Sequence, residues 1–135
     1  MSSEAVLQQN IRLELGQRDD VMLFRINVGK FRPLDGGKRV IQSAPEGTPD
    51  LLGVIAVRAC VINEKARSAA PVDGSVGDII MPEIFGRAFA IEVKAPRGSQ
   101  REAQKRWQEA WEKRGGIYIL AKSLADVYKG LDIQP

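Results

Sequence analysis

The stretch GRAFAIEVKAPRG, Gly86 to Gly98, reads as an apolar strand that closes on the turn APRG, Ala95 to Gly98. Strand residues alternate between two faces, so Glu92 and Lys94 project side by side from one face at the strand's end. An acid and an amine at the end of a core strand need explaining. The segment after the strand sets the fold class. Ser99 and Glu102 form a capping-box signature for a helix running to about Arg114, and Gly115-Gly116 stops it. Ile117 to Ala121, IYILA, is the next buried strand. A strand, a helix and a strand in succession predict a crossover with parallel strands, right-handed by rule. Ser123 with Asp126 caps a last short helix.

Upstream, Ser3 to Leu15 reads as a helix: Leu7, Ile11 and Leu15 recur on one face, and Gly16 closes it. Val21 to Val28 reads as a strand, with Met22, Phe24, Ile26 and Val28 on one side and Arg25 and Asn27 on the other. The turn Leu34 to Gly37 predicts a hairpin over Lys30 to Ile41. Leu51 to Ile62 is a long β-branched run and reads as a central strand. Asn63 to Phe85 is rich in Gly, Pro, Ser and Ala and reads as a hairpin extension of the sheet, with β arms at Val61-Ile62 and Ile84-Phe85 joined by a flexible tip. Its Lys65 and Arg67 favour a DNA contact, and Ile79, Ile80 and Met81 favour a second subunit. The order helix, strand, hairpin, strand, strand, helix, strand, helix predicts an α/β protein with a central mixed sheet.

The chain's 135 residues fit one domain able to bury a core without disulfides. Its one cysteine, Cys60, excludes an intrachain disulfide framework or a cysteine zinc site, and reads as inert core. With no histidine, Ser-His-Asp and Cys-His catalysis and histidine-held metals are excluded. Acid-base and metal chemistry therefore rest on carboxylates, lysine or tyrosine. The net charge of +3 tilts weakly toward anionic partners. No apolar run nears the ~20 residues of a membrane span, and the N-terminus lacks signal-peptide character. The expectation is a cytoplasmic protein without a membrane partner.

Asp50 follows Thr48-Pro49 at the start of the long strand, since Pro49 disfavours helix at Thr48. If this strand pairs with the one bearing Glu92 and Lys94, two carboxylates and an amine converge. Carboxylates suit Mg²⁺, and a metal serves phosphodiester hydrolysis. Each piece also has an ordinary reading: an E-x-K ion pair on a half-exposed sheet, and a turn aspartate. Glu4 falls about 20° from Ile11 around the first helix, on its core-facing stripe, though a first-turn acid also suits the helix dipole. Glu14 shares that face more loosely. Gln104 shares a stripe with Trp107 and Trp111, which read as core, and Gln100 lies a turn earlier. Lys30, Arg32, Lys38 and Arg39 on the hairpin, and Arg97, Arg101 and Lys105 beside the strand end, suit phosphate contacts or a solvated face.

Taken together, GTPDLLG (Gly47 to Gly53), FAIEVK (Phe89 to Lys94) and SQREAQKRW (Ser99 to Trp107) resemble the PD-(D/E)XK nuclease superfamily. Within it the chain is most similar to the VRR-NUC family of virus-type replication-repair nucleases, itself similar to archaeal Holliday-junction resolvases. The resemblance runs from Glu4 to about Val127. It implies a restriction-endonuclease-like αβββαβ core with a hairpin or loop insertion at about 63–85, the whole chain being one nuclease domain. It implies that Asp50, Glu92, Glu4 and the main-chain carbonyl of Val93 hold Mg²⁺ or Mn²⁺, that Lys94 is the catalytic lysine, and that Gln104 reaches back to the site. It further implies a homodimeric, metal-dependent endonuclease acting on branched DNA, with a phage source. The stretch between Asp50 and Glu92 is longer than in a compact member, the excess falling in the insertion. Two rival readings are a non-catalytic nucleic-acid-binding module and an interaction protein whose E-x-K is a surface ion pair.

Overall fold

A computed structural model describes residues 2–62 and 80–135. Helix α1, Ser3–Gly16, starts where the Ser2 hydroxyl accepts the Ala5 N–H at 3.2 Å, an N-cap that satisfies one otherwise unpaired donor. Strand β1 is Val21–Arg25. Two short strands, β2 (Lys30–Phe31) and β3 (Ile41–Gln42), pair antiparallel as the expected hairpin. Strands β4 (Leu51–Ile62) and β5 (Ile80–Val93) follow, then helix α2 (Glu102–Glu112), strand β6 (Ile117–Ala121) and helix α3 (Leu124–Leu131). The protein is thus α/β, with three helices among the described residues.

The main sheet has four strands in the order β1-β4-β5-β6. Strand β1 runs antiparallel to β4, from Val21 opposite Ile55 to Arg25 opposite Leu51. Strand β6 runs parallel to β5, from Phe89 opposite Ile117 to Val93 opposite Ala121, as the crossover reading expects. The sheet is therefore mixed. Its core is Leu51, Phe89, Ile91, Val93, Ile119 and Ala121, packed with Ile11 and Leu15 of α1 and Val127 and Leu131 of α3. The alternate face of β5 carries Ala90 and Glu92, so the acid lies away from this apolar layer. Gly53 is required by close packing: a Cβ there would collide with the Phe89 ring and the Met22 carbonyl.

Several boundaries differ from the sequence reading. β1 stops at Arg25 rather than Val28. Its apolar stripe is the exposed one, Met22 at 62% and Phe24 at 53%, whereas Val21 and Leu23 pack on the core. The reason is that α1 packs against β1, which claims the other face. β5 begins at Ile80, earlier than the β arm expected at Ile84-Phe85. Helix α2 has Arg101, not Ser99, as its N-cap, because Arg101 is still extended and its N–H donates to Gln104 Oε1 at 2.9 Å. It ends at Glu112. The α3 cap is as expected, with Asp126 Oδ2 accepting the Ser123 N–H at 2.9 Å.

Two compact units result. The larger is Met1–Ile55 with Arg87–Pro135, and the smaller is Ala56–Gly86, whose described residues are 56–62 of β4 and 80–86 of β5. The expectations for the Cys60 side chain, Lys65, Arg67 and the insertion's tip lie outside the described residues. Among the described residues no helix is long and apolar enough to cross a membrane.

Candidate functional site

The loop before β4 is folded by its own sequence. Thr48 closes a turn onto Pro45, its N–H at 3.2 Å and its hydroxyl at 2.7 Å from the Pro45 carbonyl. Gly47 has φ +87°, a backbone region that costs other L residues about 1–2 kcal/mol. A Cβ on Gly47 would also strike the Ala103 carbonyl of α2. The loop therefore lies directly on the first turn of α2, the turn that carries Gln104. Pro49 is fully buried, and the Asp50 carbonyl accepts the Ile26 N–H at 2.8 Å just beyond β1.

From this loop Asp50 reaches across to the end of β5. Its Oδ2 accepts the Val93 N–H at 2.8 Å, across 43 positions of sequence. The carboxylate thus stands beside Glu92 and Lys94, at and just beyond the end of β5. Lys94 is fixed in turn: its N–H donates to the Ala121 carbonyl at 2.9 Å, extending the β5–β6 pairing. Its Nζ lies 2.7 Å from Glu92 Oε1. Gln104 Nε2 donates to the same oxygen. Both Glu92, 3% exposed, and Gln104, 5% exposed, are buried polar groups, and each is paired, as burial demands. Glu4 on α1 comes to the same place by accepting the Ala95 N–H on Oε1 at 2.8 Å.

The five side chains singled out from sequence therefore converge: Glu4, Asp50, Glu92, Lys94 and Gln104 line one polar groove of about 660 Å³. Val93 joins them through its N–H as well as its place beside Glu92. The secondary candidates do not converge. Gln100 donates to Gln108 at 2.9 Å and to the Tyr118 hydroxyl at 3.2 Å. Glu14 accepts the Tyr128 hydroxyl at 3.1 Å. Trp107 and Trp111 stack at 4.8 Å and are half-buried rather than enclosed, with Trp111 Nε1 donating to the Ile117 carbonyl at 3.0 Å.

Burial raises the Glu92 pKa above the usual carboxylate range, Lys94 and Gln104 opposing it and Asp50 adding to it. Burial likewise raises the Asp50 pKa, against the Val93 N–H and the charges of Lys94 and Arg25, with Glu4 adding to the rise. Tyr118 is pushed up to about 12, first by burial, so its phenol stays neutral. Two acids held close in a partly buried groove carry an unfavourable charge that a cation would relieve.

Whether the donors suit Mg²⁺ or Mn²⁺ can be read from the oxygens. Glu4, Asp50 and Glu92 each have one oxygen fixed by a protein donor. Among the described residues no donor meets the other oxygen of any of the three. Among the described residues, too, no buried side-chain oxygen lacks a partner, so those of Asp50 and Glu92 open to the groove. Carboxylate oxygens facing solvent suit a hard cation that retains waters. No three His, Cys, Asp or Glu among the described residues gather into a ready-made cage. Mg²⁺ is held by one or two carboxylates and water, so this donor set fits it.

Of the seven basic residues suggested for DNA contact, Arg101 lines the groove. Lys30, Arg32, Lys38, Arg39, Arg97 and Lys105 are exposed and are not part of its lining. Arg25, Glu46 and Asn27 do line it and were not singled out. Arg25 gave no such signal in the sequence, because the strand read on to Val28 and only the structure ends it at Arg25. No protein-family model, curated protein or solved structure matches the chain.

Proposed function

We propose that the protein is a divalent-metal-dependent deoxyribonuclease of the VRR-NUC type, within the PD-(D/E)XK superfamily. One observation carries the reading: residues remote in sequence, Asp50 and Glu92-Val93-Lys94, meet in one groove with Gln104 and Glu4. A surface ion pair does not require such convergence. The element order of the main sheet, α1-β1-β4-β5-α2-β6, also agrees with the restriction-endonuclease-like core that the resemblance implies.

Asp50 and Glu92 would hold Mg²⁺ or Mn²⁺ with water filling the remaining positions, and Glu4, which the resemblance made a third ligand, is not gathered with them into a three-acid group among the described residues; the metal would supply charge neutralisation at phosphorus and an acidified water. The chain's own residues do the rest. The Val93 and Ala95 N–H groups aim the Asp50 and Glu4 carboxylates into the groove. Gln104 and Lys94 fix one Glu92 oxygen and leave the other for the site. Lys94 places an ammonium at the groove wall, where negative charge develops on a phosphoryl oxygen. Arg101 and Arg25 present cations at the same wall for the flanking backbone. In the cell we place this nuclease in the cytoplasm as a homodimer acting on branched DNA, since a two-fold substrate suits two related sites.

The test is cleavage of a panel of branched, nicked and linear DNAs by purified protein with Mg²⁺ or Mn²⁺, beside Asp50→Asn. Metal-dependent cutting by the wild type and loss in the variant is expected. Equal cutting by both, or none by either with every DNA and metal, would end the reading. Sedimentation reports the dimer separately.

A further inference from the structure

A second groove, about 730 Å³, runs between α1 and β1. It shares two wall residues, Gln8 and Arg25, with the groove of the acid site. The two are therefore neighbours along one seam of the larger unit. Their charge differs. The acid-site groove is lined by four acids, Glu4, Glu46, Asp50 and Glu92, against Arg25, Lys94 and Arg101. Among the described residues, the only charged ones lining the α1–β1 groove are Arg12 and Arg25. Both are exposed, and neither is in an ion pair among the described residues. Gln8 and Gln9 add amide donors one helical turn from Arg12. Ala5, Gly16 and the apolar Leu13, Val21, Met22 and Leu23 make up the rest of the lining.

We infer that the α1–β1 groove is a binding site for the phosphodiester backbone of the nucleic-acid strand flanking the phosphate at the acid site, with Arg12 and Arg25 as its phosphate contacts. An acid-rich groove repels a polyanion until a cation occupies it. A neighbouring surface with only positive charge supplies the attraction that keeps the strand in place. Amide side chains beside guanidinium groups are the donors that position a backbone without reading its bases. The inference rests on the nuclease reading in one respect, that the acid site meets a phosphodiester.

The experiment is binding of a labelled duplex DNA, measured by fluorescence anisotropy in EDTA across a salt series. Arg12→Glu is compared with the wild type and with Arg114→Glu, which makes the same charge change on an exposed residue outside both grooves. Expected is a roughly tenfold weakening by Arg12→Glu at low salt and a salt slope shallower by about one, with Arg114→Glu within about twofold of the wild type. Equal affinity and slope for Arg12→Glu and the wild type would overturn the inference, including if the groove takes an extended peptide instead. So would equal weakening by both variants, which reports net charge alone. Separate failures are distinguishable. A wild type that binds and cuts while Arg12→Glu binds equally well sinks only the groove. A wild type that binds through Arg12 yet never cuts with Mg²⁺ or Mn²⁺ sinks only the nuclease reading. A wild type that binds no DNA in EDTA sinks the groove, and one that also cuts none with Mg²⁺ or Mn²⁺ sinks both.

Discussion

Glu92 gives one oxygen to both Lys94 and Gln104, and this sharing determines what each substitution does. Lys94→Ala removes a charge contact to the transition state, and cleavage should fall by roughly two to three orders of magnitude. It also leaves a buried carboxylate short of its cation, so stability should drop by about 1–3 kcal/mol, seen in urea denaturation. The double variant Lys94→Ala/Glu92→Gln should recover that stability but not the activity, because the naked charge is gone. A single Lys94→Ala that cuts normally would remove the lysine from the mechanism. Glu92, Lys94 and Gln104 were legible in sequence because strand alternation and a helical stripe are local geometry. Arg25 and Glu46 were not, since an exposed residue at a strand end or in a loop has no periodicity to betray it.

Among the elements, the loop that delivers Asp50 depends on α2 as much as on its own turn. Gly47→Ala meets two obstacles, a positive φ and the Ala103 carbonyl. The backbone term alone is about 1–2 kcal/mol, and displacement of the loop should take Asp50 off the Val93 N–H. Cleavage and thermal stability should both fall, with a Tm several degrees lower. Gln104→Glu separates the helix from the site: a glutamate still accepts the Arg101 N–H, yet it repels Glu92. Helix content by circular dichroism should hold while activity falls at least tenfold. Equal activity would show that the Gln104–Glu92 contact is incidental to the chemistry. The sequence made α1, β4, β6 and α3 plain through periodicity and caps. It missed the α2 cap because the chain stays extended through Arg101. The contact of Gly47 with α2 is tertiary and leaves no local mark. β1 misled through its apolar stripe, Met22 and Phe24, because the face a strand buries is chosen by the helix that packs on it.

For the whole molecule, the acid site should trade stability for function, and pH with metal exposes the trade. Asp50 has a native pKa above its ordinary value of 3.8, chiefly from burial. Between 3.8 and the raised native value, the native state therefore holds more proton than the unfolded chain. Stability from this group falls as pH rises through that window and stays low above it. Asp20 and Asp126, whose pKa values are lowered, work in the opposite sense, but they are unchanged in a comparison with Asp50→Asn. An asparagine still accepts the Val93 N–H and carries no charge. In EDTA at pH 7, Asp50→Asn should therefore melt a few degrees above the wild type, and the gap should close as pH falls to about 4. Added Mn²⁺ should reverse the order. A ligand at a hundredfold excess over Kd stabilises by about 2.7 kcal/mol, and only the wild type retains the Asp50 carboxylate to hold it. The crossing of the two melting temperatures is the signature, because a carboxylate that merely anchors the loop would favour the wild type with or without metal. A wild type that melts higher in EDTA and gains nothing from Mn²⁺ would mark Asp50 as a structural acceptor for Val93 and nothing more.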